Sequence, residues 1–396
     1  MPTDAPGAGI RRVERVGCHI LNVSAKTNWF FVSVQDDTGQ TAWGEASING
    51  WETVLQAACE RVRGDIEGQS LQHALQRLRP HAQSPGGLCA NAIGSALQQA
   101  LVALQAIERG VPVHAVLGPQ VRHQVPVYAN INRATTDRTP RGFVATALRA
   151  RAEGGYFRFK AAPFDGLTPA ISATLEGERR MRHGVDCMLA LREALGPDAL
   201  LMVDCHWRFD AGLALQALQA LAPVRLHWFE CPMAETFANW PALRRIRAAA
   251  NEQGVLLAAA ETQVGLAAFE TLFDESLYDV VMPDVKYCGG PLEMVKIAHA
   301  AARAGVGFSP HNPTGPVCSW YSLQVAAVVA QCSMLEIQYD ETALFAQVTG
   351  DAHPVVAQGV LQIPDTPACG PHVDGAVLST HPFCSVPVGI ESVLFS

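Results

Sequence analysis

The sequence lacks the features of several large classes of protein. It has no C-x-x-C pair, although 11 cysteines are scattered along its 396 residues. An odd number of scattered cysteines favours free thiols over a disulfide framework or a structural zinc site, and therefore a reducing compartment. Basic residues are not in excess either: 29 lysines and arginines against 37 acidic residues give a formal charge of −8. No nucleic-acid partner and no anionic membrane partner is therefore expected.

Long hydrophobic runs are also absent from the sequence pattern. No stretch approaches the roughly 20 apolar residues needed to span a bilayer, and the N-terminal segment MPTDAPGAGIRR has no apolar run. We therefore expect a soluble, cytoplasmic protein. Apolar residues make up 49% of the chain and charged residues 17%, which permits a large buried core. At this length a single core stops growing, so two structural units are predicted.

The N-terminal third of the sequence predicts a small α+β domain. Residues 16–46 contain the alternating segments WFFVSV and TAWGEA on either side of the turn signal at residues 36–39, a pattern typical of a hairpin. Helical repeats follow, and the second of them, about Asn91 to Glu108, stops at Gly110. The domain is predicted to cover residues 1–122.

Eight short apolar runs alternate with helical segments from Val125 onward. They are VPVYAN, YFRFK, ALLMVD, LHWFE, VLLAAAE, YDVVMPD, GVGFSPH and SMLEIQ. Continuous apolar runs between helices are typical of a parallel sheet buried on both faces. We predict a (β/α)-barrel over residues 123–350 rather than an open doubly wound sheet, because no glycine-rich phosphate loop follows the first run. Residues 351–396, without a clear helix, are expected to pack back on the first unit.

Charged side chains stand at the ends of most predicted strands. In a parallel barrel these ends converge on one mouth, where functional residues lie. A single carboxylate there is more often a salt-bridge or capping partner, but three on successive strands repel one another unless a cation lies among them. An all-oxygen set with room for water and substrate favours Mg²⁺ over zinc. The strand-end residues are Lys160, Asp204, Glu230, Glu261, Asp284, His311 and Glu336.

Five segments, VDCHWRF, WFECP, AAAET, VMPDVKYCGG and SPHNPTGP, make the sequence resemble the enolase superfamily and, within it, the mandelate racemase branch. The resemblance implies a (β/α)7β barrel with an N-terminal α+β capping domain that the C-terminal segment completes. It implies one Mg²⁺ per subunit, held by Asp204, Glu230 and Glu261, and a homo-oligomer between a dimer and an octamer. It also implies that Asp284 orients His311 as a general base.

Other positions match the family in part. Its Lys-x-Lys pattern is replaced by Arg158-Phe159-Lys160, and both cations can point into the barrel because alternate strand residues share a face. Lys160 is predicted to be a second acid/base or a partner of the substrate carboxylate or of a metal ligand. Glu336 matches an eighth-strand carboxylate that, if protonated, could donate a hydrogen bond to the developing enolate. Candidate substrate contacts are Arg158, Asn130, Asn132, Trp207 and Arg208.

His206 bears on the choice of activity. It lies two residues after Asp204, and the Asp-x-His arrangement is similar to that of galactonate and mannonate dehydratases, where the histidine is the general acid. We therefore predict an acid-sugar dehydratase. His311 removes the proton α to the carboxylate, Mg²⁺ stabilises the enediolate, and His206 protonates the departing β-hydroxyl to give a 2-keto-3-deoxy acid. A ligand-orienting or substrate-binding role of His206 stays open.

Two other functions remain open. Lys160 and His311, on opposite faces of the α-carbon, could racemise or epimerise the acid, and a sugar-lactone cycloisomerase could use the same intermediate. A non-catalytic metal- or carbohydrate-binding barrel would bind a ligand without exchanging its α-proton. The particular acid depends on first-domain loops that cover the mouth, which we expect near residues 21–28 and 49–52.

Overall fold

The computed structural model describes residues 10–350 and 354–386. Its first unit is built on an antiparallel sheet of three strands, β1 (Val13–Ser24), β2 (Thr27–Asp36) and β3 (Thr41–Glu45), in the order β1-β2-β3. Asp36 closes the turn between β2 and β3, because its carboxylate accepts hydrogen bonds from Thr38 and from the backbone N–H of Gln40. The predicted hairpin is confirmed.

Four helices follow the sheet: α1 (Glu52–Ile66), α2 (Leu71–Arg77), α3 (Gly87–Arg109) and α4 (His114–Leu117). Among the described helices, α3 is long and apolar enough to cross a membrane, contrary to the expectation from the sequence pattern. However, 78% of its most apolar window is buried inside the protein, and it contacts β2, β3 and α1. It is therefore the core helix of the first unit.

The second unit contains eight parallel strands, one for each predicted run. They are β4 (Gln124–Asn130), β5 (Arg158–Ala161), β6 (Leu200–Asp204), β7 (Trp228–Glu230), β8 (Leu256–Ala259), β9 (Val280–Val281), β10 (Gly307–Phe308) and β11 (Leu335–Gln338). Each strand pairs with the next from β4 to β10, and β11 pairs with β4. Phe308 bridges to Cys332, and Ser309 Oγ donates to the Met334 carbonyl, which closes the ring between β10 and β11. The sheet is a barrel, not an open doubly wound sheet.

Seven α-helices connect the barrel strands, so the second unit is a (β/α)7β barrel as predicted. Their bounds are α5 (Pro140–Gly154), α6 (Leu175–Leu195), α7 (Ala211–Ala220), α8 (Trp240–Glu252), α9 (Leu266–Asp274), α10 (Pro291–Arg303) and α11 (Pro316–Val328). Side chains of Thr139, Thr174 and Asp210 cap the first turns of α5, α6 and α7, where backbone N–H groups lack helical partners. Every residue of α11 is buried, because α11 contacts both the barrel and β3 of the first unit.

The C-terminal segment returns to both units. It follows α12 (Leu344–Thr349) and contains β12 (Val360–Gln362), which pairs with β4, and α13 (Gly375–Thr380), a short helix that the sequence did not indicate. The backbone N–H of Asn22 donates to the His381 carbonyl, and Asn28 Nδ2 donates to the Cys384 carbonyl. The division of the chain at residues 122 and 350 stays a prediction.

Candidate active site and metal centre

Three buried carboxylates meet at the carboxyl ends of adjacent strands. Asp204 ends β6, Glu230 pairs with it at the end of β7, and Glu261 lies just after β8. One oxygen of each lies within 4.8 Å of the other two. The structure therefore brings together the three predicted metal ligands.

The carboxylates repel one another in a place that water does not screen. Burial raises the pKa of Glu261 well above its usual range, and the charges of Asp204 and Glu230 add to the effect. Burial also raises the pKa of Glu230, to about 8. Glu261 Oε1 accepts no hydrogen bond from any described residue. An oxygen-only cluster with an unsatisfied buried oxygen fits a hard divalent cation such as Mg²⁺.

Lys160, at the end of β5, is enclosed by acidic groups. Its Nζ lies 2.5 Å from Glu230 Oε1, 2.8 Å from Glu336 Oε1 and 4.0 Å from Asp204 Oδ2, and the residue is 1% exposed. Burial alone would lower the pKa of Lys160, but these carboxylates raise it well above its usual value. The side chain is therefore a fixed ammonium that holds the carboxylates in place.

Glu336 is surrounded by hydrogen-bond donors, which stabilise the ionised form of its carboxyl group. Its carboxylate accepts hydrogen bonds from Asn130 Nδ2 at 2.8 Å and from the backbone N–H of Asn312 at 3.0 Å, besides its contact with Lys160. Burial opposes ionisation, but Lys160 and the other donors keep the pKa of Glu336 below its usual range. This favours the carboxylate form, whereas the predicted hydrogen bond to an enolate needs the protonated form.

The predicted dyad is assembled on the next two strands. His311 Nδ1 lies 2.8 Å from Asp284 Oδ2, and the two residues form a parallel bridge just beyond β9 and β10. Burial lowers the pKa of His311, although Asp284 partly offsets this effect. The imidazole is thus held in its neutral form with Nδ1–H donating to Asp284, so Nε2 can accept a proton.

His206 stands directly beside a metal-ligand candidate. Its Nε2 lies 2.7 Å from Asp204 Oδ2, and its backbone N–H donates to Asp204 Oδ1 at 2.9 Å. His206 and Trp207 both have positive φ, 49° and 56°, which non-glycine residues rarely adopt. This left-handed turn carries the imidazole to the mouth. Because β6 and β10 are four strands apart in a ring of eight, His206 lies opposite His311.

A cavity of about 210 Å³ lies between the two histidines. Its lining includes the predicted contacts Asn130, Asn132, Trp207 and Arg208, and Asn49 from the first unit. Asn49 belongs to the predicted covering loop 49–52, whereas no residue of the segment 21–28 is among the described lining residues. The cavity is therefore closed partly by the first unit.

Arg158 lies away from this cavity. It is two residues before Lys160 on β5, which places it about 7 Å deeper along the strand. Its guanidinium stacks over the Phe157 ring, 3.9 Å from the ring centroid, and its charge acts on His227 at the other end of the barrel. The described lining of the cavity does not include it. The structure thus corrects the prediction that Arg158 contacts the substrate. Arg158 shares the strand face of Lys160, as predicted, but it lies too deep in the barrel to line the cavity.

Sequence reasoning missed Lys286, which lines the same cavity. It is 4% exposed, its backbone N–H donates to Asp284 Oδ1 at 2.9 Å, and its ammonium group forms an ion pair with Asp284 Oδ2. The signal was present in the segment PDVKYCGG, because Lys286 follows the strand-end Asp284 by two residues, as His206 follows Asp204.

Comparisons with known proteins agree with this architecture. Residues 142–377 match the enolase C-terminal domain-like family. D-galactonate dehydratase of Variovorax paradoxus is 30% identical over 80% of this chain and 80% of its own length. D-xylonate dehydratase of Haloferax volcanii is 24% identical over 95% of this chain and 90% of its own length. A mandelate racemase/muconate lactonizing enzyme-like protein from Rubrobacter xylanophilus shares the fold, with a TM-score of 0.82, 23% identity and coverage of 96% of this chain and 100% of that one.

A closed parallel barrel with an α+β unit at its mouth and acidic residues on successive strand ends defines the enolase-like class of folds. The family match covers more than half of the chain. This chain belongs to the enolase superfamily, in its mandelate racemase and muconate lactonizing enzyme branch, and the resemblance seen in the five sequence segments is confirmed.

Proposed function

We propose that the protein is an acid-sugar dehydratase that depends on a divalent cation and converts a polyhydroxy acid into a 2-keto-3-deoxy acid. The observation that carries the proposal is the pair of opposed histidines, each bonded to a carboxylate, that face one cavity across the acidic cluster. Loss of water needs a base for the α-proton and an acid for the departing hydroxyl. Relatives named D-galactonate and D-xylonate dehydratase support the acid-sugar class.

His311 is the base in this proposal. Asp284 binds its Nδ1 and thereby directs Nε2 towards the cavity, where Nε2 lies 3.4 Å from Glu261 Oε2. A neutral imidazole held in this tautomer can take the α-proton from a substrate carboxylate bound at the cluster. Asp284 then stabilises the imidazolium that forms.

His206 is the acid. Its Nε2 lies 2.7 Å from Asp204 Oδ2, and its position on the wall opposite His311 allows it to protonate a hydroxyl leaving from the other side of the substrate. The same contact also orients a metal ligand, so this ligand-orienting role accompanies the acid role.

The chemistry of the donors supports Mg²⁺ as the cofactor. Asp204, Glu230 and Glu261 would hold Mg²⁺, which when bound supplies positive charge to offset the second negative charge that develops on the substrate carboxylate. Lys160 holds Glu230 in place, and Glu336 in turn holds Lys160. The cytoplasmic location and the homo-oligomeric state expected from the sequence stay predictions.

The position of Lys160 favours elimination over racemisation. A racemase needs an acid/base on each face of the α-carbon, and Lys160 was the sequence candidate for the face opposite His311. Its ammonium is enclosed by Glu230 and Glu336, and it is not among the described residues that line the cavity. The chain therefore presents His206, a suitable acid for a leaving hydroxyl, on that side.

A library of acid sugars incubated with Mg²⁺ in D₂O tests the proposal. Formation of a keto acid, measured by a colour reaction, would support dehydration. Deuterium at the α-carbon without a keto acid would show that the enzyme is a racemase or epimerase. Binding with neither product nor α-exchange would show a non-catalytic barrel.

Two variants then test the roles of the histidines. Asn is a suitable replacement at His206, because Asn tolerates the positive φ there. We expect His206→Asn to lose elimination by about 10²–10⁴-fold while retaining α-exchange, and His311→Asn to lose both. His227→Asn replaces a histidine just before β7 and outside the cavity lining; it is the matched control and should retain both. Retained exchange in His311→Asn would show that another residue is the base.

A further inference from the structure

Two buried lysines lie at the mouth of the barrel, and they differ in what they face. The ammonium of Lys160 is bonded to the carboxylates of Glu230 and Glu336, and Lys160 is not among the described residues that line the cavity. Lys286 comes just after β9 and lines the cavity. Because β5 and β9 are four strands apart, the two lysines lie on opposite walls. The cavity thus has a lysine on the wall of the proposed base.

Lys286 and His311 share one carboxylate oxygen. His311 Nδ1 lies 2.8 Å from Asp284 Oδ2, and the Lys286 ammonium is bonded to the same atom. Two groups that bind one oxygen lie within roughly 6 Å of each other, since each hydrogen bond spans about 3 Å. The ammonium therefore lies near the proposed base, and both residues line the same cavity.

The Lys286 ammonium is held in place by more than Asp284. It lies 4.3 Å from the centroid of the Tyr287 ring, and the residue is buried. A buried ammonium has three N–H donors and a charge that water does not screen, so an anionic ligand oxygen in the cavity would be a strong acceptor.

We propose that Lys286 is the lysine of this site that contacts the substrate, and that it donates a hydrogen bond to an oxygen on or next to the α-carbon, on the His311 side of the cavity. Lys160 is a positioning residue for the carboxylates. The identity of the substrate as an acid sugar rests on the proposed function, but the contact requires only a small carboxylate with an adjacent hydroxyl.

Tartronate, or 2-hydroxymalonate, is the probe for this contact. It has a carboxylate beside a hydroxyl-bearing carbon and no β-hydroxyl, so it cannot be dehydrated. Its affinity is measured by calorimetry at saturating Mg²⁺, and the affinity for Mg²⁺ alone is measured separately. We expect Lys286→Met to weaken tartronate binding by about 10- to 100-fold, the effect of losing a hydrogen bond to a charged group, and to leave Mg²⁺ binding unchanged.

Lys296→Met is the matched control, because it removes an exposed lysine of α10 whose partner is Glu293. It should bind tartronate as the unmodified protein does. Lys160→Met should alter the affinity for Mg²⁺, since Lys160 contacts the metal-ligand candidate Glu230. If Lys286→Met fails to fold, Lys286→Gln keeps a donor towards Asp284 without the charge and takes its place.

The outcomes separate this proposal from the proposed function. Unchanged tartronate affinity in the Lys286 variants, an equal loss in Lys296→Met, or no binding by the unmodified protein would each overturn the contact. Tartronate binding that depends on Lys286, in a protein that dehydrates no acid sugar, would support the contact and refute the dehydratase. In an active enzyme, Lys286→Met should raise KM or lower kcat while Lys296→Met changes neither.

Discussion

Glu45 and Glu261 are both buried carboxylates, but the molecule satisfies them in different ways. Glu45, at the end of β3, accepts hydrogen bonds from four described donors, three of which belong to the start of α11 and the loop before it. Glu261 has one oxygen without a described donor and two other carboxylates beside it. Burying a charge costs free energy unless the charge is paired or hydrogen-bonded. The protein's own donors offset the cost of burying the Glu45 carboxylate. For Glu261, a bound cation has to offset that cost.

The contacts of Glu45 also fasten the first unit to the loop that carries the proposed base. Thr314 Oγ1 and the backbone N–H of Gly315 donate to Glu45 Oε1 at 2.9 Å, and the backbone N–H of Cys318 donates to Oε2 at 3.0 Å. These donors follow His311 by only a few residues and form the N-terminus of α11, where a negative charge is favourable. A structural carboxylate of the first unit therefore fixes the loop that follows the proposed base.

The largest effect is expected from Glu261→Gln. Turnover with Mg²⁺ should fall about 10³-fold or more, because a metal ligand worth several kcal/mol of charge stabilisation is lost. The metal-free variant should nevertheless be at least as stable as the unmodified protein, since a buried carboxyl group whose ionisation is unfavourable is replaced by a neutral amide. Urea denaturation in EDTA measures this. A loss of stability comparable to that of a Glu45 variant would show that the two carboxylates do not differ as described.

Binding of Mg²⁺ should itself stabilise the folded protein. A ligand that binds only the native state at about 100 times its Kd adds about 2.7 kcal/mol to the free energy of unfolding. The melting temperature should therefore rise with Mg²⁺ in the unmodified protein and in Glu45→Gln, but not in Glu261→Gln. An equal rise in Glu261→Gln would place the cation elsewhere.

Glu45→Gln should destabilise the protein by about 2–3 kcal/mol. The amide NH₂ would face backbone N–H groups and leave a buried donor unsatisfied, which costs about 1–3 kcal/mol for each group. Glu60→Gln on α1, where Glu60 is exposed and pairs weakly with Arg63, is the matched control and should change stability little. The free energy of unfolding from urea titrations compares them. Equal stabilities would mean that the hydrogen bonds of Glu45 contribute nothing to folding.

The strand ends could be predicted from the sequence because a parallel barrel brings them to one place whatever the lengths of its loops. Asp204, Glu230 and Glu261 come from three separate segments, yet each follows an apolar run directly. The alternation of strand residues likewise gave the correct face for Arg158 and Lys160. It did not give their depth, which decides that Lys160 meets the acidic cluster while Arg158 lies below it.

Contacts that depend on turns and on distant segments could not be predicted. Lys286 enters the cavity because the chain turns after the bridge at Asp284, beyond the end of β9. Glu45 lies 269 to 273 residues away in sequence from the three α11-side donors that it binds, and no local pattern marks such pairing. The same holds for Asn49, which reaches the cavity from the other unit. Sequence periodicity fixes faces and strand ends, whereas side-chain partners across units require the packed structure.

A third buried carboxylate, Asp36, extends the comparison to a smaller expected effect, because its donors are Thr38 and Gln40 of its own turn and one arginine, Arg11. Burial would raise its pKa, but hydrogen bonds from Thr38 and Gln40 and the contact with Arg11 outweigh burial and hold the pKa below its usual value.

A carboxyl group with a depressed folded pKa contributes stability above its unfolded pKa of about 3.9, and loses it as the pH falls towards the folded pKa. Asp36→Asn should therefore cost about 1 kcal/mol at pH 7 and progressively less below about pH 4. Urea titrations at pH 7, 5 and 3 measure the difference. If the cost of Asp36→Asn were the same at all three pH values, the stabilisation would come from the shape of the turn and not from the charge. Asp36 would then not belong with Glu45 among the carboxylates whose charge the protein's own donors stabilise.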